Sequence, residues 1–554
     1  MSTRADAPET GGYTHAQVLT ILSGLMLGMF LGALDQTIVS TAIRTIADDL
    51  HGLSVQAWVT TAYLITSTIA TPIYGKLGDL YGRKKLFMFA ITIFILGSVL
   101  CTFATSMYML AAFRAVQGIG AGGLFSLVLA IIGDIVSPRE RARYTGYFMA
   151  MFGTSSVLGP VIGGFFAGQS TLLGVAGWRW VFLVNVPIGI AALIVVARTL
   201  HLHHHRHEVR IDWWGAVWLV VALVPLLTVA EQGRDWGWSS PRSLTAFAVG
   251  AAGVVAFVAT EARMRDAALI PLRIFRIRAA AVAIGASVIV GMAMFGGIML
   301  LPLYMQIVHD ASPTESGFLM LPMVVGMMSA SIGSGQVIAR TGHIRLFPIV
   351  GSLVVTIGLL LLSFTGADTP LLLVMGAMFV LGLGLGNCMQ PLLLILQSAV
   401  PPREIGVASS SSTFFRQIGG TLGVAIFLSI LFGSVGGNIA DAVRADSHTP
   451  AWSAAVHDPQ VMANPVNRAV VGSLQHPGTG GGVLARVQDD SSIIGRMDAT
   501  LAHPFKVGFA DSMSTVFGIA SAAAFVAFLI LLLMPAVELR ATSASVAARS
   551  EAVD

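Results

Sequence analysis

Fourteen apolar runs, most of them long enough to cross a bilayer, dominate this chain. A helix that spans a membrane needs about 20 mainly apolar residues. Runs of that kind occupy residues 18–42, 55–75, 86–106, 109–133, 144–168, 179–199, 213–231, 243–262, 279–303, 315–339, 346–364, 371–398, 406–433 and 511–535. The expectation is an all-α polytopic membrane protein with fourteen transmembrane helices. Composition agrees: only 11% of the 554 residues are charged and 55% are hydrophobic, against about 25% charged in soluble proteins. The net charge of +4 does not point to nucleic acid, because the basic residues are spread over the loops. Cys101 and Cys388 both fall inside apolar runs, so no disulfide framework is readable. Residues 1–17 form a polar N-terminus, and the run after them, too long for a signal-peptide core, reads as an uncleaved first helix.

Lysine and arginine set the expected orientation. One set of loops carries Lys76, Arg83, Lys84 and Lys85, then Arg139, Arg141 and Arg143, then Arg206 and Arg210, then Arg263 to Arg278, then Arg340, Arg345 and Arg403. The opposite short loops hold only Arg44, Arg179, Arg234 and Arg242. Basic loops stay inside, so the first set and both termini are expected in the cytoplasm, with the chain in the plasma membrane.

An internal repeat divides the chain. Gly75, Gly82 and Lys85 are echoed by Gly335, Gly342 and Arg345, 260 positions later. Gly118, Gly120 and Gly122 are echoed by Gly382, Gly384 and Gly386, and Pro138-Arg139-Glu140 by Pro402-Arg403-Glu404, both at a shift of 264. A near-constant offset across separate motifs implies two six-helix halves, 18–199 and 279–535. Residues 200–278 then hold two extra linking helices, 434–507 is a long polar loop on the outer side, and 536–554 is a cytoplasmic tail.

The stretch from Gly75 to Lys85 sits between two apolar runs and reads as a tight turn. Its glycines accept backbone angles that other residues avoid. Asp79 precedes Arg83 by one helical turn and can pair with it. The pattern resembles the loop between the second and third helices of the major facilitator superfamily. The order of six, two and six helices resembles its fourteen-helix drug:proton antiporter branch. On that resemblance Gly75, Asp79, Gly82 and Arg83, joined by Asp134, form a gate network on the cytoplasmic side.

Further motifs extend the resemblance. Leu34-Asp35-Gln36-Thr37-Ile38-Val39-Ser40 is similar to the first-helix signature of these exporters, with Ser40 where asparagine is usual. Asp35 is expected about 10 Å from the outer end of its helix. A carboxylate at membrane depth must face a cavity or a partner, and loss of water favours its protonated form. Arg114, in Arg114-Ala115-Val116-Gln117-Gly118, is a permanent charge in the fourth span, expected to lower the proton affinity of Asp35 when near and to release it when far. Gly159-Pro160-Val161-Ile162-Gly163-Gly164 resembles the exporter helix-bend motif, with its flanking glycines expected to pack the bend against the other half. Trp178-Arg179-Trp180 through Asn185-x-Pro187 also resembles a family segment; its tryptophans suit an interfacial belt, and no chemistry is assigned to it.

The second half lacks these groups: Met378 stands at the echo of Arg114 and Ala339 at that of Asp79, while Arg416-Gln417 occupies the thirteenth span where some relatives have an acid. Proton chemistry is therefore expected in the first half. Substrate contact is expected from Asn387, Gln390 and Met294, with Gln117 from the first. The run from His201 to His207 reads as a basic linker rather than a metal site, and the glycine-rich run from Pro477 to Gly482 as flexible chain; the outer segment 434–507 reads either as a dock for an envelope partner or as a passive insertion.

The resulting expectation is a monomeric, proton-coupled exporter of amphipathic, cationic small molecules, with protons as coupling ion and no other cofactor or metal. The alternative is an exporter of a lipid, siderophore or dedicated metabolite by the same cycle. A membrane enzyme is disfavoured because no H-E-x-x-H, G-x-S-x-G or cysteine–histidine cluster occurs. An ATP-driven pump lacks its G-x₄-G-K-[ST] loop, and a passive pore its selectivity-filter pattern.

Overall fold

The computed structural model describes residues 15–51, 57–136, 138–200, 212–264, 267–401, 404–475 and 491–537. The helices are α1 His15–Asp49, α2 Ala57–Tyr81, α3 Arg83–Thr102, α4 Met107–Ile135, α5 Pro138–Ala167, α6 Trp180–Leu183, α7 Asn185–Thr199, α8 Trp213–Trp236 and α9 Pro241–Met264. They continue as α10 Arg278–Val308, α11 Pro313–Leu319, α12 Leu321–Thr341, α13 Leu346–Leu362, α14 Leu371–Ala399, α15 Ile405–Asp446, α16 Pro450–His457, α17 Pro459–Ala463, α18 Pro465–Gln475 and α19 Ala499–Leu532. A two-residue hairpin, Thr171–Leu172 against Val175–Ala176, precedes α6. With α6–α7 and α11–α12 each taken as one broken span, and the short α16, α17 and α18 set aside, fourteen units remain. Eleven are long and apolar enough to cross a membrane by themselves. The other three are α2, which is rich in threonine, α5, which is apolar only over its second half, and the short α13.

Each half has its own core. Phe87, Phe94, Leu124 and Leu127 centre the first, and Tyr304, Leu381, Phe505 and Phe517 the second. The repeat is visible in the packing. A Cβ on Gly118 or Gly122 would strike the carbonyl of Tyr63 or Ser67 on α2. A Cβ on Gly382 or Gly386 would strike that of Met323 or Met327 on α12, 260 positions further on. Small residues thus let α4 and α14 press on equivalent neighbours. The extra helix α8 lies along the seam between the halves, with Leu219, Leu223 and Leu227 against Ile65 and Ile69 of α2 and Phe414 of α15. Asp212 caps it by accepting from the Gly215 amide at 2.7 Å.

Three local expectations need correction. The stretch after Gly75 is not a loop: α2 continues to Tyr81, α3 begins at Arg83, and Gly82 alone makes the turn with φ of 95°. Gly75, Gly78 and Asp79 are therefore helical. The segment 434–507 is largely helical where described, since α15 runs on to Asp446, α16 to α18 follow, and α19 starts at Ala499. Trp452, Ala455, Val471 and Leu501 give that cap an apolar centre of its own. Trp178 is buried rather than part of a surface belt, and its indole donates to Asp49 at 2.7 Å. The His201–His207 and Pro477–Gly482 runs lie outside the described residues.

Candidate coupling and gating sites

Asp35 is fully buried in the first half, and its neighbours are partners rather than open space. Because α1 runs on to Asp49, the carboxylate sits about 21 Å from that end of the helix rather than 10 Å. Arg114 Nη1 on α4 donates to its Oδ2 at 2.6 Å. Gln117 Nε2, one turn along α4, donates to Oδ1 at 2.8 Å, and so does Asn185 Nδ2 of α7 at 2.8 Å. Ser98 Oγ on α3 accepts from Gln117 at 2.7 Å and from Asn185 at 3.3 Å. The guanidinium carbon of Arg114 lies 4.0 Å from the ring centre of Tyr63 on α2, a cation–π contact.

Five helices thus converge on one ion pair with no solvent exposure. Burying a charge is tolerable only with pairing and several hydrogen bonds, and the carboxylate has three donors. The cluster is still not saturated. Arg114 Nε, Asn185 Oδ1 and Tyr63 Oη are buried without a hydrogen-bond partner. Such groups are uncommon in a settled core and leave the cluster room for a second arrangement.

Gln117 belongs to this cluster and presents no surface to a substrate in this conformation. Met294 is buried in the core of the second half. Asn387 and Gln390 on α14 are partly exposed, and Asn387 donates to the Leu383 carbonyl of its own helix at 3.0 Å. Asn185 and Ser98 carry no role in the sequence reading. The available signal was Asn185 itself, an amide inside an apolar run, since such a group needs an interhelical partner.

A second polar assembly lies at the Gly82 end. Arg83 bridges two acids, Asp79 Oδ1 at 2.9 Å and Asp134 Oδ1 at 2.8 Å, and also donates to the Ala130 carbonyl of α4. Asp79 then reaches across the seam, where its Oδ2 accepts from the Val407 amide at 3.0 Å. Val407 is in the first turn of α15, so a carboxylate caps the positive end of a helix from the other half. The backbones meet closely here. A Cβ on Gly406 would stand 2.0 Å from Asp79 Oδ1, and one on Gly75 2.1 Å from Ser410 Oγ. Gln397 Nε2 of α14 donates to Ser409 Oγ at 2.6 Å and reaches the Leu129 carbonyl of α4 at 3.5 Å. Further along the seam, Thr71 Oγ1 donates to Gln417 Oε1 at 3.2 Å. The halves are shut against each other at this end.

The helix-bend motif packs within its own half. Gly159 and Gly163 face Thr37, Ile38 and Thr41 of α1, while Gly164 has nothing within 4 Å of where a Cβ would be. The α5 glycine that meets the other half is Gly153, against Val324 of α12. Shape complementarity to α1, not to the second half, accounts for the spacing of Gly159 and Gly163.

A family model described as Major Facilitator Superfamily matches residues 25–424. This chain belongs to the major facilitator superfamily. It is 37% identical over 422 residues to the multidrug transporter protein MdtP of Bacillus subtilis, which covers 76% of each chain. It is 35% identical over 414 residues to multidrug resistance protein 3 of the same bacterium, covering 74% of this chain and 79% of that one. The solved structure of the proton:xylose symporter XylE matches with a TM-score of 0.58 at 13% identity, covering 97% of this chain and 100% of that one. That last match speaks for the fold, two six-helix bundles, which this superfamily member shares.

Proposed function

We propose that this chain is a proton-coupled exporter of amphipathic small molecules in the plasma membrane, with the Gly82 end and both termini cytoplasmic. The observation that carries the reading is the sealed pair of Asp35 and Arg114 with its unsatisfied neighbours. An ionised Asp35 holds Arg114 and the α1–α4 contact. A proton arriving from outside, once the pair has opened, removes that attraction, frees Arg114 to turn elsewhere and releases cargo. Return to the inward-facing state restores the ion pair and discharges the proton. A cationic cargo would compete with the proton at Asp35 only after Arg114 has withdrawn. The printed name of one relative, multidrug resistance protein 3, fits export rather than uptake.

The test is uphill efflux in energised vesicles. Asp35→Asn is expected to abolish accumulation against a gradient while surface expression is kept. Dissipating the proton gradient is expected to do the same to wild type, and ATP depletion with the gradient clamped is not. Full uphill activity in Asp35→Asn would remove Asp35 from the cycle.

A further inference from the structure

Arg416 is a cation in the middle of a spanning helix. It stands eleven residues into α15, about 17 Å along its axis, close to half of a hydrocarbon layer about 30 Å thick. Two buried arginines of the first half are matched by acids: Arg114 by Asp35, and Arg83 by Asp79 and Asp134. The Arg416 side chain has no hydrogen bond or ion pair to any described residue, and no acid acts on it. Its side chain is partly exposed, unlike that of Arg114.

Its position is held firmly. A Cβ on Gly291 of α10 would lie 2.2 Å from the Arg416 carbonyl oxygen, so the two backbones nearly touch. Gly419 and Gly423, one and two turns on, press in the same way on Val288 and Met292 of α10. By the internal repeat α10 is the counterpart of α1, the helix that carries Asp35. The next residue, Gln417, is hydrogen-bonded to Thr71 of α2 in the other half. Arg416 therefore stands where the two halves meet, on the half whose position equivalent to Asp79 is Ala339.

An unpaired guanidinium at membrane depth is costly and faces a partner or a pathway. Its planar fork is suited to carboxylate, phosphate or sulfonate. We propose that Arg416 binds an acidic group of the transported molecule, so that amphipathic anions and zwitterions are preferred over simple cations. This rests on the transport reading above but not on Asp35, and it reverses the charge expected of the cargo. Asp35 already has its counter-charge within the protein, whereas Arg416 gains one only from a ligand.

The experiment compares fluorescein, an anion, with tetramethylrhodamine methyl ester, a cation on the same ring system. Binding to purified full-length protein is read by fluorescence anisotropy, without any gradient. Wild type is expected to bind fluorescein the more tightly. Arg416→Gln is expected to weaken fluorescein about tenfold or more, the loss of one charge-assisted hydrogen bond, and to leave the cation unchanged or improved. Arg416→Lys, which keeps the charge and loses the fork, is expected to fall between. An unchanged ratio of the two affinities in Arg416→Gln would overturn the proposal. If that variant does not fold, tighter binding of the cation by wild type overturns it just as well. Anion preference without gradient-driven transport in proteoliposomes would instead sink the coupling cycle and leave this site standing.

Discussion

Gly75→Ala asks whether the seam between α2 and α15 is a closing surface or a permanent contact. In the closed arrangement the new methyl would stand 2.1 Å from Ser410 Oγ, 2.4 Å from Ser410 Cβ and 3.1 Å from the Gly406 carbonyl. Comfortable carbon–carbon contact is about 3.5–4.0 Å, so the helices must part by roughly 1 Å. The serine hydroxyl can rotate aside, but its Cβ cannot, and Gly406 is backed by the Asp79 carboxylate. Overpacking of this kind costs about 1–3 kcal/mol. That cost falls only on the conformation in which the seam is shut. The gain of about 0.5–1 kcal/mol from replacing a helical glycine falls on both conformations and cancels. The remaining difference moves the equilibrium between shut and parted seams by about 5–150-fold. Spin labels at Tyr81 and Leu346, both exposed and both at this end, report the separation by double electron–electron resonance. The distance distribution is expected to shift to longer values in Gly75→Ala. A distribution identical to wild type, in protein that is folded, would refute the idea that this seam opens and closes.

Other variants probe other links. Arg83→Ala leaves Asp79 and Asp134 without their shared cation, and removal of one partner from a buried pair costs about 3–5 kcal/mol. With Asp134 23% exposed, the lower end is expected, as a depressed midpoint of thermal unfolding in detergent. Asn185→Leu removes one donor to Asp35 and one to Ser98. A hydrogen bond to a charged group contributes about 1.5–3 kcal/mol, so uphill efflux should fall at least tenfold, and wild-type efflux would show Asn185 to be a bystander. Gly159→Ala is expected to destabilise by about 1–3 kcal/mol through collision with Thr37, whereas Gly164→Ala, facing open space, is expected to be neutral or slightly stabilising. Equal melting temperatures for these two would contradict the packing described for α5.

Much of the architecture was legible because most spans are long apolar runs and because the two halves repeat at a near-constant offset. Residues whose partners lie nearby in sequence were legible too: Asp79 and Arg83 are one turn apart, and so are Arg114 and Gln117. What stayed hidden depends on interhelical geometry. Nothing local ties Asn185 to Asp35, 150 positions away, or Val407 to Asp79, 328 positions away. The glycines of the Gly75 stretch misled for a physical reason. Glycine serves tight turns and close helix contacts alike, and only Gly82 has the positive φ of a turn. The Gly159 motif misled similarly, since small residues declare a close neighbour without saying which one.

The proposed cycle still needs a link from Asp35 to the Arg83 cluster, and α4 is an element that touches both. The side-chain partners of Asp35, namely Arg114, Gln117 and Asn185, are all in the first half, so a change at this carboxylate reaches the second half only through other groups. Yet α4 carries Arg114 and Gln117 at one level, and Leu129, Ala130 and Asp134 at another, about 24 Å away along its axis. The lower group meets Arg83 of the gate and Gln397 of the second half. Glycines along α4 leave it in backbone contact with α2 and α3, so it moves as a body with them or slides over them. Asp35→Asn imitates the protonated carboxylate and removes the charge that holds Arg114. If α4 transmits the change, this variant parts the seam at the Gly82 end without substrate, and the Tyr81 to Leu346 distances lengthen as they do in Gly75→Ala. Should Asp35→Asn lose transport while those distances stay at wild-type values, the coupling does not run through α4. Asp35 would then act on cargo alone.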